Sequence, residues 1–245
     1  MNVKAPTMRL DRLLANLGYG SRREIDIIAG DDDILLDGAP VADVTRRIAL
    51  TPDLSARMTV RGAPLDPLPG LVIMLNKPRG VTCSHKEASP LVYDLLPERW
   101  RRRDPKISTI GRLDKETSGL LLLTDDGLLL HKVIAPKSHI GKRYLAELAR
   151  PLRADTVEIF ASGTLMLESE EKPLLPAALE VISPTCARVT LHEGRYHQVR
   201  RMFAAIGNHV ERLHRETIGG LSLPEDLSPG AFRILSPNEI EMIFN

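Results

Sequence analysis

The chain has 245 residues, of which 27% are charged and 43% hydrophobic, and its formal net charge is +1. These values are typical of a globular protein, and they lack the excess of positive charge that most nucleic-acid-binding domains carry. No apolar run exceeds five residues, so the sequence contains no candidate membrane span. The two cysteines form no CxxC motif and no signal peptide is evident, so we expect a cytoplasmic protein.

Helical periodicity begins close to the N-terminus. One helix face is predicted from an i, i+3, i+4, i+7 spacing of leucines, at Leu10, Leu13, Leu14 and Leu17. Ser21 and Glu24 have the spacing of a capping box, which predicts the start of a second helix. Residues 34–41 place an Asp-Gly turn between two short apolar segments, which is typical of a β-hairpin. The first sixty or so residues therefore predict a small module.

A segment rich in proline and glycine, residues 62–70, predicts a stiff linker between this module and the rest of the chain. A strand is predicted at residues 71–75. Residues 99–103 then combine four arginines with Trp100. Such a segment either binds phosphates and stacks a base, or is a solvated loop with a buried indole, and the sequence leaves both alternatives open.

The remaining elements follow from apolar periodicity and capping signals. Helices are predicted at residues 128–134, 155–162 and 199–206, and a final helix begins at Ser236. Strands are predicted at residues 142–148 and 187–191. The mixture of helices and strands indicates an α+β protein.

Positive charge is concentrated in residues 99–115 and 195–215. The first of these stretches contains Asp114 between Arg112 and Lys115, on a loop that precedes four consecutive leucines. Neighbouring cations favour the ionised form of a carboxylate, so Asp114 is a candidate nucleophile or base. Taken alone the signal is weak, because most runs of this kind are solvated surface loops.

Other chemistries find less support. The histidine pairs His192/His197 and His209/His214 are spaced by five residues, whereas two metal ligands on one helix face are spaced by four. No nucleophile elbow accompanies a serine or cysteine. We therefore expect no metal ion.

Four segments in order, at residues 76–80, 111–127, 142–144 and 193–203, resemble the motifs of RNA pseudouridine synthases. Residues 8–24 resemble the S4 RNA-binding domain. The resemblance implies an S4-type α/β module at residues 1–66, with the linker at about 62–70. It also implies a catalytic domain at residues 71–245, built on a mixed, mainly antiparallel sheet flanked by helices and loops.

The resemblance assigns roles to individual residues. Asp114 carries the chemistry, Tyr144 packs on the target base and could act as a base at C5, and Arg200 pairs with Asp114. Arg112 helps to fill the space left by a flipped-out uridine. Further RNA contacts are implied for Lys77, Arg79, Lys142, Arg195, Gln198 and Arg201, and in the S4-like module for Arg9, Arg12, Arg22 and Arg23. The isomerisation of uridine needs no cofactor.

The substrate is also suggested by resemblance. Residues 203–221 are most similar to synthases that modify small-subunit (16S) rRNA, and a large-subunit (23S) rRNA target is the alternative. A non-catalytic RNA-binding or ribosome-assembly factor on the same scaffold is a further alternative, although such a protein would be expected to have lost Asp114. We expect a monomer that binds rRNA or a small-subunit assembly intermediate, and no membrane.

Overall fold

A computed structural model describes residues 5–85, 87 and 90–245, apart from the side chain of Pro136. The chain forms two compact units. The first comprises Met1–Leu71, Leu96–Ser108 and Thr124–Asp126, and the second comprises Val72–Leu95, Thr109–Leu123 and Gly127–Asn245. The predicted boundary near residue 70 follows chain position, whereas the contacts also place two later segments in the first unit.

The first unit combines short helices with short strands. Its elements are β1 (Thr7–Arg9), α1 (Leu10–Asn16), α2 (Arg22–Gly30), β2 (Ile34–Leu36), β3 (Ala39–Pro40), β4 (Arg47–Ala49), α3 (Leu54–Arg57), β5 (Met58–Val60) and β6 (Ala63–Pro64). Strands β1 and β4 pair antiparallel, and a separate sheet has the order β3-β2-β5-β6. The predicted hairpin is confirmed as the β2–β3 pair.

The predicted helix signals of this unit are also confirmed. The four leucines of the α1 stripe have no exposed surface, and Ile25 of α2 packs in the same core. Ser21 and Glu24 form the capping box, with the Ser21 amide 2.7 Å from Glu24 Oε2 and the Glu24 amide 3.3 Å from Ser21 Oγ. Apolar burial therefore holds the helix pair together.

The basic segment after residue 95 is a 3₁₀ helix, Glu98–Arg102, rather than a loop. Trp100 is only 6% exposed, so the indole is buried and does not stack a base. Arg99 binds Asp66 at 2.6 Å, and the fully buried Arg103 binds Asp125 at 2.8 Å. Removing one partner of the buried Arg103–Asp125 pair typically costs about 3–5 kcal/mol, so Arg103 is structural. The side chain of Arg99 is partly exposed but also has its partner within the first unit.

The second unit contains the larger set of strands. Its elements are β7 (Val72–Lys77), β8 (Ser108–Ile110), β9 (Thr117–Thr124), α4 (Gly127–Ile134), β10 (Lys142–Leu148), α5 (Thr156–Ala161), β11 (Ala178–Ser183), β12 (Cys186–Leu191), α6 (Gln198–Ala205), β13 (Val210–Ile218), β14 (Leu221–Ser222), β15 (Phe232–Ile234) and α7 (Pro237–Met242). Short 3₁₀ helices occur at Val92–Leu95 and Pro136–Ser138.

Within the described residues, nine strands form one sheet with the central order β11-β12-β10-β13-β9-β7-β15. Antiparallel pairing prevails, but β9 and β13 pair in parallel. Helices α5 and α6 contribute to one apolar cluster, whereas α4 contributes to another with β7 and β9. The predicted mixed sheet flanked by helices is confirmed. No helix in the described part of the chain is long and apolar enough to cross a bilayer.

Candidate active site

Asp114 lies on the loop between β8 and β9, and its side chain is 32% exposed. The amide of Thr117 donates a hydrogen bond of 3.0 Å to the Asp114 carbonyl, which closes a tight turn. The strand that follows is deeply buried, with no exposed surface on its four leucines. Asp114 is therefore presented to solvent from a segment that is anchored at the centre of the sheet.

A buried lysine holds this loop in place. Lys77 has no exposed surface, and its Nζ donates to the carbonyl oxygens of Pro78, Lys115 and Thr117 at 3.0, 3.3 and 2.8 Å. Burial lowers the pKa of Lys77 from its ordinary range. The structure corrects the prediction that Lys77 contacts RNA, because all three donors of the ammonium group are used within the protein.

The side chain that contacts the carboxylate is an imidazole. His197 Nε2 lies 3.3 Å from Asp114 Oδ1, and the pair becomes an ion pair when the ring is protonated. His197 immediately precedes α6 and has a φ of +48°, a left-handed conformation that residues with a side chain rarely adopt. The ring also stacks on Tyr196, with centroids 3.9 Å apart.

Arg200 occupies a different place from the predicted one. Its Nη1 donates to the Val210 carbonyl at 2.8 Å and its Nη2 to the Glu116 carbonyl at 3.2 Å. Among the described residues, no ion pair within 4.0 Å joins Arg200 to Asp114. The predicted pairing is thus corrected, since Arg200 joins the start of β13 to the backbone of the loop. It supports Asp114 from two residues away.

Tyr144 is half-buried on β10, next to a buried arginine on β13. Arg215 Nη1 donates to the Tyr144 hydroxyl at 3.4 Å, and the guanidinium carbon lies 5.9 Å from the ring centroid. Arg215 Nε donates to the Leu120 carbonyl at 2.7 Å. This arginine therefore ties the tyrosine to the strand that follows Asp114.

Positive charge is gathered near this tyrosine. Arg215 is 3% exposed, and its Nη2 has no hydrogen-bond partner among the described residues. Lys142 donates to the Ile140 carbonyl at 2.9 Å. Burial lowers the pKa of Lys142, and the charge of Arg215 lowers it further. RNA contact by Lys142, whose side chain is partly exposed, remains a prediction.

A serine and a histidine meet on the same sheet. Ser118 Oγ lies 2.9 Å from His214 Nδ1, and burial lowers the pKa of His214. Both residues line an open depression of about 360 Å³, together with Arg79. No carboxylate among the described residues is hydrogen-bonded to the His214 ring, so a catalytic triad is incomplete here. The described residues also contain no cluster of three or more His, Cys, Asp or Glu side chains suited to a metal ion.

Comparison with known proteins places this geometry in a family. A family model described as RNA pseudouridylate synthase matches residues 71–205. The chain belongs to the RNA pseudouridine synthase family. It is 41% identical over 240 residues to the ribosomal small subunit pseudouridine synthase A of Escherichia coli K12, a match that covers 96% of this chain and all of the relative.

Further relatives agree with this assignment. The ribosomal small subunit pseudouridine synthase A of Pseudomonas aeruginosa is 42% identical over 236 residues, covering 95% of this chain and 99% of the relative. A crystal structure of a pseudouridylate synthase superposes with a TM-score of 0.67 at 34% identity, and covers 96% of this chain and 99% of that one. The protein is therefore an isomerase of the pseudouridine synthase class.

Two predicted substrate contacts of the synthase are exposed near the Asp114 loop. Arg112 is exposed, and its guanidinium has no hydrogen bond or ion pair with any described residue. Arg79 is also exposed and binds Glu116 at 3.1 Å. An exposed pair of this kind contributes at most about 1 kcal/mol, so Arg79 can leave Glu116 for another anion.

Three other predicted RNA contacts are instead used within the synthase. Arg195 and Arg201 both bind Glu170, at 3.1 and 2.8 Å. Gln198 is 5% exposed; it accepts from the Arg195 amide and donates to Glu193. The two arginines thus join α6 and the segment before it to Glu170, while Gln198 links Glu193 to the Arg195 amide. RNA contact by these three side chains remains a prediction.

The four arginines predicted for the S4-like module are all exposed in the first unit. Arg9 binds Asp11 at 2.8 Å, and Arg22 lies 3.9 Å from the same carboxylate. The side chains of Arg12 and Arg23 form no hydrogen bond or ion pair with the described residues. Contact with RNA phosphates remains a prediction for all four residues.

His197 and Arg215 contact the site, but the sequence did not single them out. His197 stands next to Gln198 within a predicted motif, so its position was visible although its partner was not. Arg215 lies in a segment without clear alternation of apolar and polar residues, and no sequence signal predicted its burial.

Proposed function

We propose that the protein converts a specific uridine of small-subunit (16S) rRNA into pseudouridine, with Asp114 as the reacting carboxylate. The observation that carries this proposal is the placement of Asp114, half-exposed on an anchored loop and 3.3 Å from His197. Two relatives that are 41% and 42% identical over almost the whole chain carry the name ribosomal small subunit pseudouridine synthase A. A match of this identity over almost the whole of both chains supports a shared substrate.

The reaction breaks the C–N bond between ribose and uracil and forms a C–C bond at C5 of the same base. Asp114 either attacks the nucleoside or removes a proton, and the bond that replaces the glycosidic bond requires no oxidant or reductant. Tyr144 stacks on the uracil and accepts the C5 proton, while Arg215 holds its hydroxyl. Arg112, exposed and without a partner among the residues that the structure describes, fills the space that the extruded base leaves.

The first unit acts as an S4-like RNA-binding module in this proposal. Its support is the exposure of Arg12 and Arg23, because guanidinium groups that have no partner in the described part of the chain are suited to phosphate contact. We propose that the synthase acts as a cytoplasmic monomer on free rRNA or an assembling subunit.

The test is site-resolved mapping of pseudouridine in rRNA from cells with and without the protein. Asp114→Asn removes the charge but keeps the shape, and we expect it to abolish the modification while RNA affinity stays within about threefold. Asp226→Asn, an exposed aspartate elsewhere in the second unit, is the matched control and should retain full activity.

Each alternative predicts a different result. Loss of a pseudouridine from large-subunit rRNA would favour a 23S target. An unchanged map, together with a defect in subunit assembly, would favour a non-catalytic assembly factor. Full activity of Asp114→Asn would refute the assignment of the carboxylate.

A further inference from the structure

Tyr196 is an exposed aromatic residue one position from the residue that contacts Asp114. About 70% of its surface is accessible to solvent. The other aromatic rings near α6, such as Phe203, are buried in the core. An exposed ring beside a reacting group cannot be explained by packing, because it contributes almost no buried apolar area.

The ring of Tyr196 rests on a neighbouring imidazole. Tyr196 stacks on His197 with centroids 3.9 Å apart and ring planes inclined by 15°, so one face is covered and the other is open. The Tyr196 carbonyl accepts a hydrogen bond from Arg201. On the other side, Arg195 donates to the carbonyl oxygens of Lys172 and Pro173 at 2.8 and 2.6 Å. The backbone that carries the ring is thus anchored on both sides.

The stack ends at the reacting group. The imidazole under Tyr196 places Nε2 at 3.3 Å from Asp114 Oδ1. A planar group on the open face of Tyr196 would therefore be separated by the tyrosine ring from the imidazole that contacts the carboxylate. The spacing of two stacked rings between this group and Asp114 is suited to a base next to the target, and not to the target itself.

A nucleobase next to the target uridine needs an aromatic surface on which to stack. When a uridine is extruded from a strand, its neighbours lose a stacking partner, which costs a few kcal/mol. Aromatic side chains replace that partner in proteins that bind single-stranded nucleic acids, and they accept any base because every base has a π-face. Tyr196 offers an open aromatic face within the same site.

We propose that the Tyr196–His197 stack binds the nucleobase adjacent to the target uridine, as a stacking site without base specificity. The inference rests on the proposed function, since it takes RNA as the substrate. Tyr196 acts in substrate binding, whereas His197 positions Asp114.

The experiment is a double-mutant cycle on short RNAs that carry the mapped target uridine. One RNA is intact, and the others have an abasic site at each neighbouring position. Wild-type protein, Tyr196→Leu and Tyr196→Phe are compared by KM, kcat and equilibrium binding. Val181→Ala, at an exposed apolar position on β11, is the matched control.

For the intact RNA, Tyr196→Leu should raise KM roughly tenfold while kcat changes little. The KM of Tyr196→Phe should lie within about twofold of the wild-type value, because this variant keeps the aromatic ring. One abasic position should raise the wild-type KM by a similar factor and have almost no effect on Tyr196→Leu, because the stacking partner is already absent. Val181→Ala should resemble the wild type.

The proposal is overturned if Tyr196→Leu keeps the wild-type KM on every RNA, or if its effect adds fully to each abasic effect. Failure of Tyr196→Phe to restore binding would also overturn it, because the ring and not the hydroxyl is the proposed ligand. Failure of the proposed function would be distinct, since wild-type protein would then form no pseudouridine in the intact RNA.

Discussion

Lys77 shows how a charged side chain close to Asp114 in the fold can stabilise the loop that carries it. Its ammonium group satisfies three carbonyl oxygens, two of which belong to Lys115 and Thr117 on either side of Glu116. Burial lowers the pKa of Lys77, and these carbonyl contacts compensate for the loss of water. Removal of the amine would leave the loop that carries Asp114 without its internal support.

We therefore expect Lys77→Met to destabilise the protein by about 3 kcal/mol, since each buried carbonyl left without a donor costs roughly 1–3 kcal/mol. The melting temperature should fall by roughly 5–10 °C. We expect kcat to fall, whereas the equilibrium affinity for RNA should stay nearly constant. Thermal unfolding, binding and single-turnover kinetics measure these effects.

Lys172→Met is the matched control, because that lysine is exposed and only its backbone carbonyl is used. It should have the melting temperature of the wild type. A Lys77→Met protein with wild-type stability and weakened RNA binding would contradict the structural role and would restore the predicted RNA contact.

For individual residues, the sequence predicted the positions of the candidate site residues but not the groups to which they are hydrogen-bonded. Arg200, Arg195 and Gln198 all stand in a predicted motif. Each of these side chains nevertheless donates its hydrogen bonds to the backbone or to other side chains of the protein. A guanidinium has five donors, and sequence spacing does not tell whether carbonyls, carboxylates or phosphates will accept from them.

Among the elements, the parallel pair of β9 and β13 determines where Asp114 stands. Gly119 is paired with Arg215 in this register and has a φ of +106°. A Cβ atom at Gly119 would lie 2.3 Å from the Arg215 carbonyl oxygen and 2.7 Å from its amide nitrogen. Only glycine lets the two strands approach closely enough here.

We expect Gly119→Ala to force β9 and β13 apart, with a loss of about 2–4 kcal/mol from overpacking and the strained φ together. The melting temperature should fall by roughly 10 °C. Catalysis should fall with it, because Asp114 precedes β9 and Tyr144 is held by Arg215 on β13. Thermal unfolding and turnover of the mapped RNA test this.

Gly127→Ala is the control, because its Cβ would meet no atom within 4 Å. Its melting temperature should equal or slightly exceed that of the wild type, since alanine is favoured over glycine in a helix. Equal stability of the two variants would show that the strand approach at Gly119 is not required.

Most of the elements that the sequence predicted have a regular spacing of apolar residues or a clear capping signal. The α1 stripe and β10 at Lys142–Leu148 are confirmed because apolar side chains prevail on one face of each. The capping box of α2 is confirmed because Ser21 and Glu24 each bond the backbone amide of the other. Strand β13 escaped prediction, because a buried arginine and two register shifts in its pairing with β10 interrupt the alternation. The position of β13 depends on its pairing with the neighbouring strands and not on an alternation of apolar and polar residues in its own sequence.

For the whole molecule, the distribution of charge matters more than its sum. The net charge is only +1, and in the second unit Arg195 and Arg201 are paired with carboxylates while Arg200 is hydrogen-bonded to carbonyl groups. In the first unit, Arg12 and Arg23 are exposed and have no internal partner among the described residues. These two residues are the best candidates there for phosphate contact.

Each phosphate contact adds about 0.7–0.9 to the slope of log affinity against log salt concentration, through counterion release. We expect the double variant Arg12→Gln/Arg23→Gln to lower this slope by about 1.5 and to weaken binding of the mapped RNA, while kcat at saturating RNA is retained. The control is Arg47→Gln/Arg57→Gln, which removes the same charge from arginines already bonded to Thr7 and Asp37. If both double variants change the slope equally, general charge accounts for the effect. An unchanged salt dependence in Arg12→Gln/Arg23→Gln would mean that these two side chains do not contact RNA phosphates.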